Sequence, residues 1–281
     1  MTAVMVSRSL ILRSVLVAGA LALFGAPVAT AEASTSTNWS GYVAHGVKFR
    51  SASALWTQPT LTCTPGTQSY SAAWVGLGGY NLSSKALEQI GTEADCTGSG
   101  RQVSTAWYEL VPAPSRGLGM IVRPGDVMAG HVSVVGNKVT LMLTDRTRHK
   151  TYTKTVSVST VDVTSADWIV EAPSQCTGNG FQCQPLTLAN YGTQTFARAN
   201  AQTAKGQTGA IASALWRTEV ITLNPGSNGT RNASNGASEG ESSPSALTSA
   251  GTGFTLTYTP ITAAPGPPTA TSYLSSRTAG L

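Results

Sequence analysis

The chain holds 281 residues with a formal net charge of +5, yet only 11% of them are charged and just 13 are Asp or Glu. The basic balance therefore reflects scarce carboxylates rather than a Lys/Arg patch, and no basic run is interleaved with aromatics, which argues against a nucleic-acid partner. Few carboxylates also leave little to lose in acid, because acid unfolding works largely by protonating carboxylates that are ionised and paired in the native state.

Residues 1–31 read as a secretory signal: Arg8 and Arg13 form a basic start, Val15 to Phe24 an apolar run too short to span a bilayer, and Ala29-Thr30-Ala31 a small-residue cleavage site. Removing the segment takes the charge to +3, since it carries two Arg and no carboxylate. No later stretch is long and apolar enough for a membrane span, so the expectation is an exported, soluble, monomeric protein. Its length is compatible with one all-β domain or two small ones, and residues 32–260 are expected to form one β-sandwich domain.

Along that domain the pattern is one of strands. Ser71 to Gly79 runs into glycines, and Ala86 to Glu93 is a short strand in which Leu87 and Gln89 share a face. Val127 to Val135, Lys138 to Thr144, Thr153 to Ser159 and Ser213 to Leu223 are further strands, with Pro124-Gly125 and Gly136-Asn137 at joints. Asp167 to Pro173 places Asp167, Ile169 and Glu171 on one face and should stop near Pro173, which cannot donate to a ladder. Residues 224–253, rich in Gly, Ser and Asn, are expected to be a flexible loop, followed by the strictly alternating strand Phe254 to Thr259. Residues 261–281 form a Pro/Ala/Thr-rich tail expected to be disordered. The expected fold is all-β, an antiparallel sandwich or barrel.

Four cysteines, Cys63, Cys96, Cys176 and Cys183, imply two disulfides in an exported chain; proximity favours Cys63–Cys96 and Cys176–Cys183. With three His and no CxxC spacing, no zinc site is expected and no cofactor is assigned. Sequons at Asn38, Asn81, Asn228 and Asn232 would mark surface loops if the host glycosylates.

No nucleophile elbow or HExxH motif occurs, which leaves carboxylates and amides as the chemistry. Glu171, at a strand end beside apolar neighbours, would have a raised pKa suited to proton transfer. Gln89 offers N–H donors that do not titrate, as an oxyanion needs at any pH. Each residue also has a plainer reading, as a surface Glu and as a polar strand residue satisfying a neighbour.

Asn38-Trp-Ser-Gly41, Ala73-Trp-Val-Gly76, Leu87-Glu-Gln-Ile-Gly91, Ala106-Trp-Tyr-Glu109, Pro124-Gly-Asp126 and Trp168-Ile-Val-Glu171 stand in one order. Together with Asn190-Tyr-Gly192 and Thr195-Phe196 they resemble the glutamic peptidases (the eqolisins, peptidase family G1) over roughly residues 37–258. The resemblance implies an antiparallel β-sandwich of two large sheets, of concanavalin-like or jelly-roll type, with Gln89 and Glu171 as the catalytic dyad. It implies Trp74 as an aromatic residue of the substrate cleft, and Trp107 and Glu109 close to the dyad. The substrate would be a polypeptide in extended conformation, hydrolysed by a Glu-activated water without metal or covalent intermediate. The chain departs from the pattern at Gly78, where the family often has Asp, and at Glu93, which replaces an Asp. It departs again at Leu110 and Val111, where some relatives carry aromatics.

Two other classes remain open at this level. A carbohydrate-binding or glycoside-hydrolysing sandwich would use Glu109 and Glu171 as a carboxylate pair. A surface domain of the same fold would have no activity.

Overall fold

The computed structural model describes residues 31–177, 182–226 and 240–261, and among them every regular element is a strand. All but the last residue of the predicted signal, and most of the predicted tail, lie outside these residues. The chain begins with β1 (Glu32–Ser36), β2 (Trp39–His45), β3 (Phe49–Thr57), β4 (Ser69–Gly78), β5 (Leu87–Cys96) and β6 (Gln102–Val111). It continues through β7 (Arg116–Gly117), β8 (Val127–Val135), β9 (Lys138–Asp145), β10 (Lys150–Ser157), β11 (Ser165–Glu171) and β12 (Ser174–Thr177). Last come β13 (Gln182–Pro185), β14 (Thr193–Thr203), β15 (Thr208–Ala210), β16 (Arg217–Leu223), β17 (Gly240–Pro244) and β18 (Phe254–Pro260).

Hydrogen bonding orders the strands β10-β9-β8-β3-β14-β18-β17-β16-β2-β11-β4-β5-β6-β7, antiparallel along this path, with β1 added in parallel to β16. The path folds over on itself. The back layer runs from β10 to β18, the front layer from β16 to β7, and β17 joins them, meeting β16 through the single pair Leu223–Ser242. The expected antiparallel β-sandwich is what forms, its two sheets joined along one edge.

The layers meet through large aromatics that carry their own polar handle. The Trp56 indole N–H donates to Thr92 Oγ1 at 2.8 Å, and that of Trp168 donates to the Ser53 carbonyl at 2.9 Å, each crossing from one layer to the other. Both rings are buried, as are Phe49, Phe196, Met128, Leu141 and Leu143 around them. Each such side chain contributes about 1.5–3 kcal/mol by leaving water, and the indole N–H bonds avoid orphaned donors in the core.

Strands of the back layer show the period expected for one buried face: β8 and β9 alternate buried with half-buried or exposed positions. The front strands β2, β4 and β11 do not, being buried almost throughout. A second apolar cluster covers their outer face, made of Trp39, Val43, Ala72, Trp74, Leu87, Trp107, Ile169 and Ile221. It is on this face that the candidate residues lie.

Both disulfides pair as proximity favoured. Cys63–Cys96 ties the segment after β3 to the end of β5, and Cys176–Cys183 ties β12 to β13. The expectation of a loop over 224–253 needs correction. Residues 227–239 lie outside the described set, but Gly240–Pro244 is the strand β17. Its small residues fit because Ser242 is fully buried: its carbonyl accepts from Ser40 Oγ at 2.9 Å and its hydroxyl from Tyr191. Asn38 is also corrected: it is 2% exposed, not on a surface loop, and its amide is already engaged.

Candidate active site

Residues directly opposite in an antiparallel ladder point to the same face, so the registers of the front layer sort its side chains into rows. One row reads Trp39, Glu171, Ala72, Glu93 and Thr105. The next reads Gly41, Ile169, Trp74, Gly91 and Trp107, and the third Val43, Asp167, Gly76, Gln89 and Glu109. Gln89, Glu171, Trp74, Trp107 and Glu109, the five residues expected at the site, therefore share one face. Gln89 lies two strands across from Glu171 and four residues along, roughly 16 Å between backbones in a flat sheet. No hydrogen bond joins their side chains; Trp74 occupies the row between them.

The glycines make room for that tryptophan. A Cβ on Gly91 would lie 2.6 Å from the Trp74 Cβ, and one on Gly76 would lie 2.9 Å from its Cζ3. The ring is fully buried and packs edge-on against Trp39 at 5.0 Å between centroids. Its indole N–H donates to Glu171 Oε2 at 2.9 Å. A ring with no exposed surface thus holds the carboxylate.

Glu171 receives a second bond from Asn38 Nδ2, which donates to Oε1 at 3.0 Å. The Trp39 indole N–H makes no hydrogen bond but lies near enough to favour the ionised form. Glu171 keeps some accessible surface, yet its carboxyl is set among these rings. Burial, with the nearby charge of Glu109, pushes its pKa up to about 8 against the pull of the donors. Desolvation is the main cause of the rise.

Gln89 is 4% exposed; its Nε2 donates to Glu109 Oε2 at 2.8 Å and its Oε1 is buried without a partner. Burial raises the Glu109 pKa too, opposed by the bond from Gln89 and by a backbone bond at Ser115. Trp107, 9% exposed, has a buried indole N–H with no partner. A buried unpaired polar atom costs about 1–3 kcal/mol, and here an acceptor and a donor of this kind sit in adjacent rows. A peptide group supplies their complements, one N–H and one C=O.

Two residues near this face were not read as site residues from the sequence. Asn38 had a signal, standing in the quoted Asn38-Trp-Ser-Gly41, but its reach to Glu171 depends on β2 lying beside β11. Asp167 shares the row of Gln89 and is fully buried, with Ser165 Oγ donating to it at 3.3 Å; burial pushes its pKa well above the ordinary carboxylate value. The missing Asp at Gly78 has a physical counterpart. The space its Cβ would take is filled by Asp162 Cβ at 2.5 Å, and Asp162 Oδ2 accepts the Gly79 N–H at 3.1 Å. A carboxylate thus braces the turn after β4 from another strand connection. Burial alone would raise the Asp162 pKa, but bonds from Ser84, Thr164 and Gly79 outweigh it and hold the pKa below its usual value.

Among the described residues, Glu32, His45 and Glu219 bring ligand-type atoms within 4.8 Å of one another, and the Tyr80 hydroxyl donates to Glu219. Glu219 sits in the row of Gln89 but four strands away, about 19 Å. By the same measure Glu219 lies about 16 Å from Glu171, as far as Gln89 does.

The sequence profile of the Peptidase A4 family matches residues 37–253. Scytalidopepsin B of Scytalidium lignicola is 28% identical over 166 residues, which cover 57% of this chain and 61% of that protein. The match thus spans about three fifths of the length of this curated relative. The crystal structure of scytalido-glutamic peptidase with a transition state analog inhibitor superposes with a TM-score of 0.62 at 23% identity, covering 79% of this chain and 98% of that one. Aspergilloglutamic peptidase from Aspergillus niger superposes with a TM-score of 0.51 at 24% identity, covering 68% of this chain and 99% of that one. At these identities the structural likeness establishes the fold.

Proposed function

The chain belongs to the Peptidase A4 family, the eqolisin-type glutamic peptidases, and from that premise we propose that it is an exported acid endopeptidase whose Gln89 and Glu171 act as a catalytic dyad. The observation that carries the dyad is the pair of N–H donors, from Asn38 and Trp74, fixed on the Glu171 carboxylate. They orient it and pull its pKa down against the burial that raises it, the direction a general base requires.

Glu171 takes a proton from a water on its carboxylate. The water attacks the scissile carbonyl, a Gln89 N–H meets the developing oxyanion, and Glu171 returns its proton to the leaving amine. No covalent intermediate forms. The substrate is an extended polypeptide lying over the face. One solved relative was captured with the tripeptide Ala-Ile-His, in keeping with a peptide substrate. Export and a monomeric state complete the reading; the two disulfides support export.

The test is incubation of the secreted protein with a denatured protein and with sugar polymers at acid pH. Cleavage of the first and not the second is expected. Sugar hydrolysis would favour the Glu109–Glu171 pair as glycosidase carboxylates, and no cleavage of either would favour an inactive domain.

A further inference from the structure

The Gln89 amide is held on one side and short of a partner on the other. Its nitrogen donates to Glu109, and its buried oxygen has no donor. An ionised carboxylate only accepts, so it compels the amide nitrogen to face it. A protonated Glu109 reverses that choice. Its O–H can donate to Gln89 Oε1, and a half-turn of the amide then satisfies the orphaned oxygen and frees both N–H groups.

Resting on the dyad reading above, we infer that Glu109 is a positioning residue whose protonated form turns the Gln89 amide so that its N–H groups face the oxyanion of a bound peptide. The step adds one proton from solvent to one carboxylate and breaks no other bond.

The surroundings of Glu109 favour that proton. It faces Gln89 on β5, with Asp167 of β11 further along the same row beyond Gly76. The backbone at Ser115 bonds to it, and Glu171 lies within electrostatic reach. Arg116 of β7 is paired with Tyr108, whose side chain points to the opposite face. Neither ion pair among the described residues includes Glu109. The same proton also removes the charge that opposes ionisation of Glu171. The two carboxyls titrate as a coupled pair; the competent state is the one in which the proton sits on Glu109, where it no longer opposes ionisation of Glu171. Protonation of Glu171 sets the low-pH limb of activity, and loss of the Glu109 proton sets the high-pH limb.

The experiment compares pH–kcat profiles of wild type, Glu109→Gln and Glu171→Gln on an unstructured peptide, with circular dichroism as the check on folding. Gln at 109 can donate to Gln89 Oε1 at every pH, so its high-pH limb should move up by about one unit or more, with kcat at the optimum within about tenfold of wild type. A folded Glu109→Gln whose limb stays in place, or which is inactive at every pH, overturns the inference. Turnover by Glu171→Gln would remove the dyad and the inference with it, whereas an inactive Glu171→Gln beside an unmoved limb overturns the Glu109 assignment alone. Should Glu109→Gln not fold, wild type labelled with 15N in its Gln side chains serves instead. The Gln89 amide signals, assigned through Gln89→Ala, must shift with the midpoint of the high-pH limb; signals constant across that limb overturn the inference.

Discussion

Replacing Glu88 by Gln should leave stability in acid almost unchanged and raise it at alkaline pH. Glu88 points to the interior from β5, away from Gln89, and is 2% exposed. Its Oε1 accepts the Asp162 N–H at 3.3 Å and its Oε2 has no partner. Burial, reinforced by the charge of Asp162, pushes its pKa from 4.5 up to about 8. A carboxyl with a raised folded-state pKa binds its proton more tightly in the native protein than in the unfolded chain. Its contribution to stability is therefore fully present below pH 4.5 and fades as pH rises toward 8, at up to about 1.4 kcal/mol per pH unit. Over that interval the loss approaches about 5 kcal/mol, a large part of a typical domain's stability. Asp95, raised to about 8 by burial and by Glu93, adds to the trend in the same direction. Gln mimics the protonated acid, accepts the same Asp162 bond and never ionises. Urea unfolding of both proteins at pH 4 and pH 8 measures the difference. A gain of about 3–5 kcal/mol for Glu88→Gln at pH 8, with little change at pH 4, is expected. Equal effects at both pH values would show that Glu88 is not a buried acid kept neutral by its surroundings.

Two more outcomes follow from named contacts. Trp74→Phe keeps the ring on Gly76 and Gly91 but removes the N–H from Glu171 Oε2, so kcat should fall about tenfold or more at unchanged fold; a wild-type rate would mean the indole bond does nothing for the base. Opening Cys63–Cys96, with a sequence separation of 33, should cost about 4 kcal/mol, and opening Cys176–Cys183, with a separation of 7, about 2.5 kcal/mol in the chain-entropy account; thermal or urea melts of the paired Cys→Ala variants would contradict it if the order were reversed.

What the sequence made legible was local. Period-2 patterns located Val127 to Val135 and Phe254 to Thr259 to within a residue, and they put Asp167, Ile169 and Glu171 on one face, where they are. β17 was missed because Gly240 to Pro244 carries no apolar alternation; its strand identity comes from its backbone ladder to β18, and its buried Ser242 is satisfied by Ser40 and Tyr191. Asn38 matched a sequon and read as surface, since nothing near it in sequence reveals that β2 lies against β11. For the same reason Trp74 could be placed at the site but not given its task. An indole beside glycines reads equally as a cleft wall or as a donor, and only the register of β4 against β11 decides. The pairing of Gln89 with Glu109 was likewise beyond reach, because it depends on β5 and β6 being neighbours in register.

The central claim is that Glu171 supplies the base and Gln89 the oxyanion donor. Its most direct measurement is kcat of folded Glu171→Gln and Gln89→Ala on an unstructured peptide between pH 2 and pH 7. Glu171→Gln keeps the shape and removes the base, so turnover should vanish while peptide binding persists. Gln89→Ala should lose on the order of 10²–10³ in kcat, the scale of removing one oxyanion donor. Near wild-type rates in either folded variant would contradict the dyad.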